Sequence, residues 1–201
     1  MYKVGSELKA ARLDDLRPTQ MTVGFRAVEK KRREIEGEMA GADRPRYFFP
    51  AVRGPRGRFF ILDGHHTALA LHQQQVEDVA IGIVTDLSAL SRTDFWTYLD
   101  HRAWTHCYDA RGVRRSFADM PARLADLADD PYRSLAAAVL AGGAFAKPDE
   151  PFYEFMWANH FRRHFARPEL SGRRFEGTVT RAAALAGRPE SRYLPGWAGT
   201  A

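Results

Sequence analysis

The chain has 201 residues, of which 45% are hydrophobic, and a net charge of +5. This composition is ordinary for a globular protein and excludes an intrinsically disordered chain. No apolar run approaches the roughly 20 residues that cross a bilayer, and the N-terminus lacks the apolar core of a secretory signal. The single cysteine, Cys107, excludes an internal disulfide and suits a reducing compartment. We therefore expect a cytoplasmic protein that does not contact membranes.

The basic residues are almost all arginine, with 25 Arg and five Lys. Arginine binds phosphate through two parallel hydrogen bonds, so nucleotides and nucleic acids are both candidate partners. A genome rich in G and C would produce the same excess without any functional meaning. The net charge alone therefore supports a phosphate ligand only weakly.

The elements of the first 90 residues alternate between strands and helices. Residues 7–16 predict a short strand that runs into a turn, and Pro18 predicts a turn over residues 17–20. Residues 23–39 predict a charged helix with Val28 and Ile35 as its apolar contacts.

A hairpin comes next in the predicted order. Residues 47–53 and 58–62 predict its two strands, joined by a turn over residues 54–57. Residues 65–75 predict a helix, and the apolar run at 78–86 predicts a third strand. Together these elements predict a compact unit of the α+β class.

The second half of the sequence is mostly helical. The predicted helices cover residues 91–104, 121–127, 131–142, 151–165 and 171–186. Ser91 and Asp130 are good N-cap residues for the first and third of these helices. We therefore expect a mixed-sheet α/β domain at 1–90, with a helical extension at 91–201 packed on it.

The densest group of polar residues lies where the strand at 58–62 becomes a helix. It consists of Asp63, Gly64, His65, His66 and Thr67. A helix N-terminus presents amide groups and the positive end of the helix dipole, which suits a phosphate. The aspartate and histidines add proton-transfer or metal-binding capacity. The alternative is a pair of histidines that caps the helix, with Asp63 as a simple N-cap residue.

Three other groups have both functional and structural interpretations. Residues 129–134 combine acids, Arg133 and Ser134 at a helix start, where capping by Asp130 explains only part of the pattern. His160 and His164 have the four-residue spacing of metal ligands but no intervening glutamate, which favours a structural role. Cys107, next to His106, is more typical of a small buried side chain than of a nucleophile.

The strand–Asp63–Gly64–His65–His66–helix element, together with the upstream Arg17–Gln20 turn, resembles the ParB/sulfiredoxin-like superfamily. The closer resemblance is to the branch labelled "putative ParB-like nuclease". Further matching elements are LRPTQMTVG (16–24), VEKKRREI (28–35), DPYRSLAAAV (130–139) and EFMWANHFR (154–162). The resemblance implies a small mixed-sheet fold and a nucleotide site at this junction. Related members bind CTP or ATP there, and some transfer a phosphoryl group to a small molecule.

The resemblance also implies roles for individual residues. Asp63, His65 and His66 would be catalytic, and Asp63 would be the residue that could hold Mg²⁺. The residues that would bind the nucleotide, which could be ATP, ADP or CTP, are Gly64, Thr67, Arg17, Gln20, Arg133 and Ser134.

The chain departs from each well-defined subgroup of the superfamily. Sulfiredoxins have a cysteine where this chain has His65, so sulfinic-acid repair is not expected. The arginine-rich box of partition proteins is replaced by residues 64–67, and no helix-turn-helix follows. The free-serine kinases of the superfamily have a glutamate near the first proline turn, and this chain has Gln20 at the comparable place.

These departures leave three hypotheses. We expect a nucleotide-dependent phosphotransferase or hydrolase that acts on a small molecule. A ParB-like nuclease or DNA-binding protein is the alternative, and a nucleotide sensor without turnover is the third hypothesis.

Overall fold

A computed structural model describes residues 8–39 and 47–199, and its contacts divide the chain into two compact units. Of the described residues, the first unit takes 8–23, 27–39 and 47–129, and the second takes 24–26 and 130–199. The segment that follows residue 90, up to residue 129, therefore clusters with the first unit. Glu7, at the start of the first predicted strand, lies outside the described residues. None of the described helices combines the length and apolar character that crossing a bilayer requires.

The strands of the described residues all lie in the first unit. In chain order they are β1 (Leu8–Arg12), β2 (Leu16–Arg17), β3 (Thr22–Val23), β4 (Phe48–Arg53), β5 (Phe59–Ile61), β6 (Asp78–Asp86) and β7 (Ala128–Asp129). A five-stranded sheet has the order β1-β6-β4-β5-β2, and β3 pairs with β7. In the larger sheet β4 is antiparallel to β5 but parallel to β6, so the sheet is mixed. This confirms the predicted α+β class and mixed sheet.

The hairpin β4–β5 and strand β6 follow the sequence prediction closely. Ala51, Val52 and Ile61 are fully buried in the hairpin, as its apolar pattern requires. At the turn, a Cβ on Gly54 would lie 2.7 Å from the ring of Phe60, so only glycine fits there. A short 3-10 turn at Pro55–Gly57 connects the two strands.

The helices are α1 (Phe25–Met39), α2 (His65–Gln73), α3 (Arg92–His101), α4 (Pro131–Ala141), α5 (Tyr153–His164) and α6 (Arg174–Ala186). Val28 and Ile35 of α1 are buried in the main core of the first unit, as predicted, together with side chains of β4, β5 and α2. Ser91 caps α3 by accepting a hydrogen bond from the amide of Asp94. These are the contacts that the sequence patterns indicated.

The helix predicted over residues 121–127 is wrong. The structure has only a 3-10 turn at Leu124–Asp126, followed by β7. Leu124 and Leu127 are both buried in the main core of the first unit. Their spacing of three residues matches one 3-10 turn, and β7 then pairs with β3 in parallel. Tertiary pairing therefore overrides the local helical preference of this segment.

The second unit is helical around an aromatic core. Helix α4 packs against both α5 and α6. The aromatic stripe of α5 faces inward, with Trp157 and Phe161 fully buried and the ring of Phe145 stacked 4.0 Å from that of Trp157. The aromatic stripe of α5 therefore serves core packing.

Candidate functional site

The backbone at the β5–α2 junction is set by Gly64. Gly64 has φ of +79°, a left-handed conformation that glycine adopts without strain, and it occupies the N-cap position of α2. A Cβ at this position would lie 2.9 Å from two ring carbons of the buried Phe49. The chain thus turns sharply and aims the first-turn amides of α2 out of the helix end.

Asp63 is exposed beside this helix end. Its Oδ1 accepts a hydrogen bond of 2.6 Å from the backbone amide of Gly64. The carboxylate therefore interacts with the amide of Gly64, which is one of the groups predicted to bind phosphate. His66 and Thr67, in the first turn, are half-buried.

His65 is buried and supports the neighbouring segment. It is 4% exposed, and its Nε2 accepts a 3.0 Å hydrogen bond from the backbone amide of Thr19. This bond places the lone pair on Nε2, so in the neutral ring the proton is on Nδ1. The hydroxyl of Thr19 donates to the carbonyl of Ile61 at 2.8 Å. His65 thus joins the start of α2 to the segment at 17–20, and its catalytic role stays a prediction.

A third segment completes the hydrogen bonding of Thr19. The hydroxyl of Thr105 donates to the carbonyl of Thr19 at 2.7 Å, and the amide of His106 donates to the same carbonyl at 2.9 Å. Gln20 forms a parallel bridge with His106 and is 6% exposed. Thr19 and Thr105 were not predicted as site residues, because a buried threonine gives no sequence pattern that distinguishes it from an exposed one.

Arg17 lies in β2, in register with Phe60 of β5. Its Nη1 donates to the carbonyl of Ala122. Among the described residues, no hydrogen-bond partner reaches its buried Nε. The structure therefore brings Arg17 and Gln20 onto the segment that His65 holds, in the same unit as Asp63, Gly64, His66 and Thr67.

Arg133 and Ser134 belong to the second unit. Arg133 is 3% exposed, its Nη2 donates to Glu154 at 2.6 Å, and its guanidinium lies 4.2 Å from the centre of the Phe155 ring. The hydroxyl of Ser134 accepts a 3.2 Å hydrogen bond from the amide of Arg26. Both side chains therefore make structural contacts within this unit, and their roles in nucleotide binding stay predictions.

Cys107 has the environment of a structural cysteine. It is 1% exposed, and its Sγ lies 3.5 Å from the hydroxyl of Thr105. Burial raises the pKa of the thiol, which disfavours the thiolate that a nucleophile requires. The geometry therefore supports the interpretation of Cys107 as a small buried side chain.

His160 takes part in a buried hydrogen-bond chain. Ser191 Oγ donates to the carbonyl of Leu185 at 2.9 Å, so it accepts from His160 Nε2 at 3.0 Å. The hydroxyl of Tyr193 lies 3.0 Å from His160 Nδ1. Both ring nitrogens are engaged, which agrees with a structural role for the His160–His164 pair.

The buried hydrogen bonds of His160 predict that the stability of the protein depends on pH. Burial lowers the pKa of His160 from its ordinary 6.5, and His164 and Arg163 lower it further by repulsion. The unfolded chain then binds a proton more readily than the folded one, so the free energy of unfolding falls as the pH drops below 6.5. Urea unfolding of wild type and His160→Gln on both sides of this pH measures the effect. The variant should lose that part of the pH dependence. His101→Gln, at an exposed histidine, should retain it, and equal profiles for all three proteins would contradict the assignment.

Metal ligands are sparse in the described part of the chain. No group of three or more His, Cys, Asp or Glu side chains there is arranged to hold a metal ion. A cation at Asp63 would therefore take most of its ligands from a phosphate and from water, as Mg²⁺ often does.

A family model described as "Putative ParB-like nuclease" matches residues 9–163. The chain belongs to this ParB-like family. The match runs from β1 almost to the end of α5 and confirms the resemblance inferred from the residues around Asp63. No curated protein matches this ParB-like chain.

A crystal structure of protein Atu1540 from Agrobacterium tumefaciens is similar to this ParB-like chain. The two are 41% identical, and the alignment covers 97% of this chain and 100% of that one, with a TM-score of 0.91. The similarity therefore extends beyond residue 163 into the part of the chain that the family model does not match.

Proposed function

We propose that the N-terminal end of α2 binds the phosphates of a nucleotide and that the protein transfers or hydrolyses a phosphoryl group, with a small molecule as acceptor. The supporting observation is the junction that Gly64 creates. It presents a helix N-terminus beside an exposed carboxylate and two half-buried polar side chains, Asp63, His66 and Thr67.

Each residue of the junction has a role in this proposal. The first-turn amides and the hydroxyl of Thr67 hold the phosphates. Asp63 or His66 accepts the proton of the attacking hydroxyl or water, while the bond from the transferred phosphorus to the nucleoside diphosphate breaks. His65 positions the segment at 17–20 through Thr19, so that Arg17 and Gln20 flank the ligand. Phosphoryl transfer depends mainly on such positioning and charge neutralisation.

The bond from the Gly64 amide to Asp63 has a consequence for binding. A carboxylate at the helix end repels an incoming phosphate, because like charges in one site oppose each other. Mg²⁺ would neutralise this repulsion with Asp63 as its protein ligand. We therefore expect nucleotide binding to require Mg²⁺ in the wild-type protein.

Nucleotide binding should appear as thermal stabilisation. ATP, ADP, CTP and GTP, each at millimolar concentration with Mg²⁺, provide the screen. A ligand at about 100 times its Kd stabilises the folded state by about 2.7 kcal/mol, which corresponds to roughly 5–10 °C for a chain of this size. Thr67→Ala should weaken the shift. Asp63→Asn should bind nucleotide without Mg²⁺ but lose turnover.

The controls separate this proposal from a folding defect. Thr180→Ala, at an exposed threonine of α6, should leave the shift unchanged. Calorimetry that shows no binding of any of the four nucleotides with Mg²⁺ would reject the proposal. Tight binding without product formation, unaffected by Asp63→Asn, would instead favour a nucleotide sensor.

A nuclease or DNA-binding protein is the second candidate. The family description favours it, and the arginine excess is compatible with it. Incubation of plasmid DNA with wild type and with Asp63→Asn, in the presence of Mg²⁺ or Mn²⁺, tests it directly. Cleavage by wild type alone would replace the nucleotide proposal with a phosphodiesterase reaction at the same residues.

A further inference from the structure

Arg133 is a buried guanidinium with few hydrogen-bond partners. It lies in the first turn of α4 and is 3% exposed. Its Nη2 donates to Oε2 of Glu154 at 2.6 Å, but among the described residues no acceptor reaches its Nε or its Nη1. A buried donor without an acceptor has lost its hydration and gained no bond in exchange, which destabilises the fold. This side chain has no role in the phosphoryl-transfer mechanism proposed above.

Arg162, on the neighbouring helix α5, is paired more completely. Its Nη2 donates to Oδ2 of Asp130 at 2.5 Å, and its Nη1 donates to Oδ1 of Asn159. Only its Nε lacks an acceptor among the described residues, and its side chain is 16% exposed, so it also contacts solvent. Arg133 is buried more deeply and has a single acceptor. The comparison indicates that packing and pairing within the unit account for Arg162 but not for Arg133.

Two neighbouring residues hold the guanidinium of Arg133 in place. The ring of Phe155 lies against it, 4.2 Å from ring centre to guanidinium carbon, and Glu154 holds its Nη2. Since Nη2 carries two hydrogens, the one that Glu154 does not accept can act together with either Nε or Nη1. Both combinations present two parallel N–H groups, which is the arrangement that binds the two oxygens of a carboxylate. The side chain of Glu154 is 30% exposed, so a small ligand can approach the ion pair from solvent.

The charges around Arg133 favour a ligand with one negative charge. Each of the two arginines pairs with one carboxylate, Glu154 or Asp130, so the group carries no net charge. Burial raises the pKa of Asp130, and the charges of Arg162 and Arg133 oppose this shift, so Arg133 acts on both carboxylates. A polyphosphate would bring several negative charges beside these carboxylates and be repelled, whereas an organic acid brings one. An organic acid therefore fits this environment better than the nucleotide phosphate expected at Arg133 from the resemblance.

We propose that Arg133 binds the carboxylate of a small organic acid. The two carboxylate oxygens accept hydrogen bonds from Nη2 and from Nε or Nη1, and so supply acceptors that the described residues do not. Arg133, Glu154 and Phe155 all belong to the second unit. The ligand differs from the nucleotide, and its binding does not rest on phosphoryl transfer at the β5–α2 junction.

Propionate and benzoate are suitable probes, because each combines a single carboxylate with an apolar group. Saturation-transfer NMR, without nucleotide or Mg²⁺ and at constant ionic strength, measures their Kd in the millimolar range. Arg133→Lys keeps the positive charge but loses the two-donor geometry, so the Kd should rise about tenfold. Arg163→Lys, at an exposed arginine of α5, is the matched control and should leave the Kd unchanged.

Glu154→Gln tests the same contact in the opposite direction. Without its charge, the side chain at this position competes less for Arg133 and no longer repels the ligand, so the Kd of both probes should fall several-fold. This substitution alters only a partly exposed side chain, so it remains informative if Arg133→Lys does not fold. Melting temperatures of the three variants report on folding.

Three results would overturn the assignment of Arg133 to a carboxylate. They are the absence of binding of both probes, an equal Kd for wild type and folded Arg133→Lys, and an unchanged or higher Kd in Glu154→Gln. Tighter binding of inorganic phosphate than of propionate would also overturn it and would favour the phosphate role expected from the resemblance. Because no nucleotide is present in these titrations, their failure leaves the phosphoryl-transfer proposal to its own test.

Discussion

Replacing Gly64 by alanine should destabilise the protein by about 3 kcal/mol. The left-handed backbone at Gly64 costs roughly 1–2 kcal/mol for a residue with a Cβ. The new Cβ would also lie 2.9 Å from the ring of Phe49, which is 1% exposed and belongs to the main core of the first unit. Overpacking of this kind costs roughly 1–3 kcal/mol. Urea unfolding measures the free-energy change directly.

Gly143→Ala is the matched control for this substitution. Gly143 has φ of +77°, nearly the same as Gly64, but a Cβ there would meet no atom within 4 Å. It should therefore lose only the backbone contribution, about 1–2 kcal/mol. Equal destabilisation by the two substitutions would mean that the contact with Phe49 does not constrain the junction.

Replacing Asp130 by alanine should destabilise the second unit by about 3–5 kcal/mol. Asp130 is 2% exposed, its Oδ2 accepts from Arg162 at 2.5 Å, and its Oδ1 accepts from the amide of Tyr132 at 3.0 Å. Burial raises the pKa of this carboxyl, although Arg162 opposes the shift. The pair therefore contributes little net stability, but removing one member leaves a charge largely buried and α4 uncapped.

Two further substitutions separate the cap from the ion pair. Asp130→Asn keeps an oxygen for the amide of Tyr132 and should lose less stability than the alanine variant. Asp126→Ala removes the partner of Arg123 in an exposed pair and should cause no measurable change. Thermal unfolding of all three variants provides the comparison. A loss at Asp126 as large as that at Asp130 would contradict the role of burial.

Local patterns in the sequence predicted much of the first unit. The apolar run at β6, the glycine turn of the hairpin and the Ser91 cap each depend on neighbours within a few residues. The helix predicted over residues 121–127 was wrong for the opposite reason. The strand β7, which follows the 3-10 turn there, is defined by its pairing with β3 about 100 residues earlier in the chain. Propensity cannot include such pairing.

The residues of the candidate site also fall into those that local sequence signals identify and those that depend on distant contacts. Gly64 and the polar residues that follow it could be identified from the sequence, because a strand, a glycine and a helix start are local signals. The support of that junction could not be identified, since Thr19 and Thr105 act through hydrogen bonds to segments that are distant in the sequence. The contact of Asp63 with the helix end was predicted only in part, since Asp63 was a candidate N-cap residue, whereas Gly64 occupies the N-cap position and donates its amide to Asp63.

The hydrogen bonds around Thr19 also determine when the site can form during folding. They join residues separated by 42, 46 and 86 positions along the chain. Contacts of such long range require closure of large loops, which slows folding and leaves them out of locally formed structure. A ribosome-bound chain that ends before residue 105 would lack the Thr105 and His106 contacts. The junction around Gly64 can therefore reach its final form only after most of the first unit has been synthesised and has folded.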